Sequence, residues 1–237
     1  MAVAEREAAV EVVDLATTSV RELNQRLHDL AGGAPGRHHF RVVNPSGAHA
    51  VACGLDAEID VEIDGHVGYY CAGMNKLATV RVHGNASTGI AENTMSGLVV
   101  VDGNVSQSAG ATGRGGLLVV HGNASSRCGI SMKGIDIVVG GSVGHMSAFM
   151  AQTGCLVVCG DAGEALGDSI YEARLYVRGS VASLGADCIE KELRDEHIGQ
   201  LRALLESAEI DADPSEFRRY GSARQLYNFH VDHAAEY

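Results

Sequence analysis

Apolar and polar positions recur along this chain with a period of 19 residues. Gly65, Gly84, Gly103, Gly122, Gly141, Gly160 and Gly179 keep that spacing without a slip. Two residues before each Gly stand Ile63, Val82, Val101, Val120, Val139, Val158 and Val177, and four before stand Val61, Val80, Val99, Leu118, Ile137, Leu156 and Leu175. Apolar residues at i and i+2 form one face of a short strand. Two residues after the Gly, Val67, Ala86, Val105, Ala124, Val143, Ala162 and Val181 alternate medium and small side chains. Like side chains repeating at one position are what parallel strands stacked about 4.8 Å apart produce.

A unit this short, crowded with Gly and β-branched residues, cannot supply two helices, which excludes helical solenoids. The period is not a multiple of six, and Gly-x-Asp nonapeptides are absent, so neither a hexapeptide β-helix nor a calcium-binding β-roll fits. The pattern predicts an all-β fold, a right-handed parallel β-helix of about seven coils and about 30 Å length.

The flanks carry signals of their own. Leu55, Ala57, Ile59, Val61 and Ile63 alternate with Asp56, Glu58, Asp60 and Glu62, a strand with one core face and one acidic face. Ser19-Val20-Arg21-Glu22 is a capping box opening a helix to about Ala31, closed by Gly32-Gly33. Asp187 and Glu190 suit the start of a C-terminal helix carrying Ile189, Leu193, Leu201, Leu204, Leu205 and Ala208. The residues from Phe217 to Tyr237 show no period and read as an extended arm. The expected organisation is a lead-in with a helix over 1–54, the β-helix over 55–185, and a helix with an arm over 186–237.

Composition narrows the function classes. The net charge is −12, and the acids concentrate in the flanks: residues 64–183 carry 8 acids and 7 bases, residues 184–237 carry 12 and 6. No basic patch offers itself to nucleic acid. The start MAVAEREAAVEVVDLA lacks the features of a signal peptide, no apolar run reaches membrane-spanning length, and the six cysteines form no CxxC pair. A cytoplasmic protein with reduced thiols is expected. Aromatics are scarce and acids scattered, which disfavours a carbohydrate-cleaving β-helix with its clustered carboxylates.

Four groups of residues invite a chemical reading. Asp64, His83, Asp102 and His121 precede the repeat Gly, but a straight row cannot converge on one tetrahedral metal, so a surface Asp–His ladder is the reading. Asn85, Asn104 and Asn123, continued by Ser142, Asp161 and Ser180, suit a structural side-chain ladder. Val100, Val119, Val138 and Val157 form an outward apolar stripe, which either a terminal helix of this chain or a partner must cover. Cys155 and Cys159 read as buried thiols near different faces, and His197 as a core histidine on the apolar side of the C-terminal helix. No nucleophile, phosphate-loop or metalloprotease motif is present.

The coil pattern, from Gly84-Asn85-Ala86 through Gly97-Leu98-Val99-Val100-Val101-Asp102-Gly103-Asn104-Val105, resembles the GXGXG repeat domain that closes the large subunit of glutamate synthase. The same domain occurs as one of the separate chains of formylmethanofuran dehydrogenase. The opening Asp14-Leu15-Ala16-Thr17-Thr18 and the ending from Phe217 to Phe229 look like the stand-alone GlxC-type subunit. In that group the synthase is split into a class II glutamine amidotransferase, this β-helix, and a synthase chain carrying FMN and an iron–sulfur cluster, as in N-methylglutamate synthase. The resemblance implies a non-catalytic scaffold. It assigns no catalytic, cofactor-binding or metal-binding residue to this chain and places both cofactors on a partner. The outward valines, the acidic flanks and the Tyr227/Phe229 arm are the expected contact surfaces. The alternative is a component of a formylmethanofuran-type or formyl-transfer complex.

Overall fold

The structure is a computed structural model that describes residues 10–31 and 38–226. It is a parallel β-helix with two helices. Strands β1 (Val10–Asp14), β2 (His38–Val43), β3 (Ile59–Asp64), β4 (Thr79–Val82), β5 (Leu98–Val101), β6 (Leu117–Val120), β7 (Asp136–Val139), β8 (Cys155–Val158) and β9 (Arg174–Val177) stack in chain order and in parallel. From β3 to β9 the partners lie one repeat apart: Val61, Val80, Val99, Leu118, Ile137, Leu156 and Leu175 are in register and fully buried. A second ladder joins Val67, Ala86, Val105, Ala124, Val143, Ala162 and Val181. The stack begins ahead of the strict repeat, because β1 and β2 add Val13, Phe40 and Val42 to the core.

Gly65 has a positive φ, but from Gly84 onward the repeat Gly is required by space, not by dihedral angle. A Cβ on Gly103 would lie 2.3 Å from Asn85 Oδ1 and 2.6 Å from the Gly84 carbonyl of the coil before, and Gly122, Gly141, Gly160 and Gly179 meet the same pair of obstacles. The Asn column explains the obstacle. Each side chain accepts the backbone N–H of its successor: Asn85 from Asn104, Asn104 from Asn123, and Asn123 from Ser142, all at 2.8 Å. Ser142 and Asp161 continue the chain to Ser180. The ladder is thus side chain to backbone, while amide-to-amide contact occurs once, between Asn123 and Asn104 at 3.3 Å.

The third corner of each coil uses left-handed residues at alternate positions, such as Gly89, Ala91 and Asn93, or Met146, Ala148 and Met150. Left-handed backbone costs a non-glycine residue about 1–2 kcal/mol. Here the N–H groups so directed bond to the coils on either side: Ala91 to the Cys71 carbonyl, Asn93 to that of Ala111.

Helix α1 (Val20–His28) closes one end. Its capping box is present, with Glu22 N–H donating to Ser19 Oγ and Ser19 N–H to the Glu22 carboxylate. Leu23 and Leu27 face the core, and the Asn24 amide stands in for a missing coil, donating to the Ala50 carbonyl (2.8 Å) and accepting from Ala52 N–H (2.9 Å). In the next coil that N–H position, Ala72, bonds to the Val51 carbonyl. Gly32 and Gly33, expected to close this helix, lie outside the described residues.

The other end departs from the sequence expectation. Residues 188–191 are a strand, β10 (Cys188–Lys191), and the helix begins later, as α2 (Asp195–Ser207). Asp187 caps no helix; its carboxylate holds Ser222 Oγ (2.6 Å) and Gln225 N–H (2.9 Å). The arm is ordered over β11 (Arg218–Ser222), which inserts antiparallel between β9 and β10 and so covers the last parallel edge. Tyr227 and Phe229 lie outside the described residues.

Candidate functional site

One row on the outer face of the sheet organises the surface. Strand register lines up Val12, Arg41, Glu62, Arg81, Val100, Val119, Val138, Val157, Tyr176, Arg219 and Lys191, one from each strand. The valine stripe is its apolar centre. It is no free interface: Val119, Val138, Val157 and Tyr176 are at most 1% exposed, packed with Leu201 and Leu205 of α2, with Ala208 just after it and with Phe217. Leu201, Leu204, Leu205 and Ala208 recur at i, i+3, i+4 and i+7, a helix stripe that fits one flat apolar row. Fully burying one valine stabilises by about 1.5–3 kcal/mol, so the chain's own helix wins this surface. Cys155 and Cys159, expected on different faces, belong to the same buried layer, because the backbone stays extended just past β8 and positions four apart share a face.

The predicted Asp–His ladder is realised in part. Asp102 holds both Arg81 Nη2 (2.8 Å) and His83 Nδ1 (2.7 Å), whereas Asp64 pairs with Arg41 Nε (2.7 Å) instead of His83. Burial would raise the Asp102 carboxyl, but the bonds from His83 and Arg81 outweigh it and hold it below its usual range. Among the described residues no three His, Cys, Asp or Glu side chains come together as a metal site, and no helix is long and apolar enough to cross a membrane. All six cysteines are free thiols. Burial pushes Cys128, Cys155 and Cys188 up to about 12, with Asp136 adding to the effect at Cys155.

Two surfaces remain that sequence reasoning did not single out. The first is a ridge at one coil position, where Lys76, Met95, Arg114, Lys133 and Gln152 are exposed on successive coils. Their N–H groups bond to the preceding coil in the same way, Arg114 to the Thr94 carbonyl and Lys133 to that of Gly113. Met74 and Leu77 stand exposed beside it.

The second is a groove of about 840 Å³ where the row passes from Tyr176 to Arg219 and Lys191. Gly221, which pairs with Ile189 of β10, lines it; a Cβ there would meet nothing nearer than 3.8 Å. Arg174, Lys191 and Arg219 surround this gap, and the start of α2 contributes His197 and Gln200. Gln200 Oε1 accepts from Arg174 Nη1 (2.8 Å) and from the Tyr176 hydroxyl (3.0 Å), which locks helix to strand. His197 is buried and accepts the Arg194 N–H through Nδ1 (3.1 Å). Burial and the nearby Arg219, Arg174 and Arg194 push its pKa down, against a smaller opposing pull from Glu196. Arg219 is itself pushed down, by burial and by the charges of Arg174 and Arg194. Arg194 pairs with Glu192 (2.9 Å) and Arg224 with Glu172 (2.9 Å). Only the strand pairing brings 174, 191 and 219 together, so no local motif announced them.

No family model matches the chain. It is 63% identical over 227 residues to Protein GlxC of Rhizobium meliloti (strain 1021), covering 95% of this chain and 99% of that one. With that identity running nearly end to end, the chain belongs to the GlxC family.

Proposed function

We propose that this chain is a non-catalytic scaffold subunit of a cytoplasmic, glutamate-synthase-like complex of the N-methylglutamate synthase type. In this reading it holds a class II glutamine amidotransferase-like chain and a glutamate synthase-like chain in fixed relation, so that ammonia or an amine passes between them. FMN and the iron–sulfur cluster reside on the synthase-like partner. Membership of the GlxC family and the resemblance of the coils to the GXGXG domain support this reading.

The observation that carries the reading is the exposed ridge. With α2 occupying the valine row, the ridge is one place along the coils where the surface still offers apolar groups to a partner: Met95 is 50% exposed, Leu77 45% and Met74 43%. Clustered exposed apolar groups mark interaction surfaces, and methionine adapts to irregular ones. Arg114 and Lys133 add a basic edge to a chain whose net charge is −12, which favours an acidic contact. A β-helix suits the task, since each coil is fixed by its neighbours and the whole behaves as a rigid rod.

The test is purification of the tagged chain from its own cells at native expression, read by native mass spectrometry. An assembly containing the amidotransferase-like and flavin-bearing chains is expected, with Met95→Asp and Arg114→Glu releasing a partner while the chain stays folded. A free monomer, or co-purification with a molybdopterin-bearing chain instead, overturns the proposal.

A further inference from the structure

Five acids and five Arg or Lys side chains line the groove beside the start of α2, yet three of the cations pair with no acid. Among the described residues, Arg174, Lys191 and Arg219 have no carboxylate within ion-pair distance. Arg174 spends one N–H on Gln200, and Arg219 spends one on the Glu192 carbonyl (2.8 Å), while its buried Nε has no partner. A guanidinium has five donors in a planar fork. Leaving a buried donor of this kind unpaired costs about 1–3 kcal/mol, more when the group is charged. Placing two guanidiniums and an ammonium around one gap adds mutual repulsion. Other cations of the same groove do find acids, Arg194 in Glu192 and Arg224 in Glu172. The exception is confined to the three that surround Gly221.

The gap is built into the sheet. Gly221 stands two residues after Arg219 on β11, so an outward side chain is missing in the groove that Arg174, Lys191 and Arg219 line. The Cγ and Cε of Lys191 pass 3.8 and 4.0 Å from where a Cβ on Gly221 would lie, closing one side. Gln200 holds Arg174 in place, and Tyr176 backs the site with a hydroxyl that burial pushes up to about 12 and that therefore stays protonated. An anion seated here would replace water by fixed donors in a partly enclosed space, where charge-assisted bonds are strongest.

We propose that this groove binds the carboxylate of a small molecule. Planar guanidiniums match a carboxylate's two oxygens. Asp136, Glu190, Glu192 and Glu196 also line the groove and disfavour a doubly charged phosphate more than a singly charged carboxylate. The groove alone carries this assignment, independently of the scaffold reading.

Isothermal titration of the purified chain with sodium succinate, at ionic strength held constant with sodium chloride, tests it. Saturable binding is expected, weakened at least fivefold in Arg174→Gln and in Arg219→Gln and unchanged in Arg127→Gln at an exposed corner far along the chain. Nitrogen-edited spectra of the unaltered protein provide a measurement that needs no variant. The Nε–H signals of Arg174 and Arg219 should move with succinate and follow the same isotherm. Absence of saturation, an equal response to chloride, tighter binding of phosphate than of succinate, or movement confined to other residues overturns the proposal.

Discussion

Two glycine-to-alanine substitutions should move stability in opposite directions. In Gly122→Ala the new Cβ lies 2.6 Å from Asn104 Oδ1 and 2.6 Å from the Gly103 carbonyl oxygen, against an ordinary contact of 3.4–4 Å. Relief requires a shift of about 0.8 Å or more, and both obstacles belong to the ladder between coils. Swinging Asn104 aside forfeits its bond from Asn123 N–H (2.8 Å), a net loss of about 0.5–1.5 kcal/mol. Separating the coils strains close-packed neighbours by about 1–3 kcal/mol. Together these give about 2–4 kcal/mol, a melting temperature lower by about 5–15 °C in a chain of this size. Gly199 is exposed in the interior of α2, with nothing within 4 Å of its virtual Cβ. Alanine there should stabilise by about 0.5–1 kcal/mol through helix propensity. Thermal and urea melts followed by far-ultraviolet circular dichroism measure both. Adding Asn104→Ala to Gly122→Ala removes one of the two obstacles, so the double variant should be more stable than the sum of the single effects predicts. A melt of Gly122→Ala within 1–2 °C of the parent, or strict additivity with Asn104→Ala, would refute the steric account of the repeat.

The remaining predictions concern other layers of the same molecule. Val138→Asp places an unpaired carboxylate in the row under α2 and should cost about 3–5 kcal/mol, with limited proteolysis cutting first within residues 195–213 while the coils persist. Asn24→Leu keeps the branching at Cγ but loses both amide bonds to the first corner, so about 2 kcal/mol of destabilisation is expected in urea melts. A thiol-reactive dye should find Cys53 first among six free cysteines, since it alone is not fully buried, and the rest only on unfolding. His197 has a folded pKa below its unfolded value: above pH 6.5 neither state carries the proton, and below it the unfolded state gains it first. Stability should therefore fall as pH drops through about 6.5, with a shallower fall in His197→Gln.

Legibility followed periodicity. The strands β3 to β9 and the Asn column could be read from the sequence because every coil repeats the same environment, so one residue type recurs at fixed spacing. Strands β1 and β2 could not, because α1 and a longer corner interrupt the spacing: Val13 pairs with Val42, and Phe40 with Val61. The pairing of β10 with β11 is a non-local choice, and the acids around residues 187–190 imitated a helix start that tertiary pairing overrode. The left-handed corners were hidden for another reason. Ala91, Met146 and Ala148 carry no local mark of positive φ, since hydrogen bonds from adjacent coils, not residue type, stabilise that backbone. The groove was illegible on both counts, for its three cations come from different elements and meet only through register.

The outer row shows how a monotonous repeat acquires distinct surfaces. Inward positions admit little variety: Gly110 faces Ile137, whose Cδ1 would lie 2.6 Å from an added Cβ, so a larger strand residue is matched by a smaller corner. Outward positions are free of that constraint, and their identity changes along one line from Arg41, Glu62 and Arg81, through four valines and Tyr176, to Arg219 and Lys191. The apolar stretch fixes where α2 docks, and α2 in turn brings His197 and Gln200 to the place where the row turns cationic. The groove therefore depends on the length of the valine run. Extending that run by one coil, with Arg219 replaced by an apolar residue, would let the covering layer close over the gap and remove the two features that define it, the uncompensated charge and the space above Gly221.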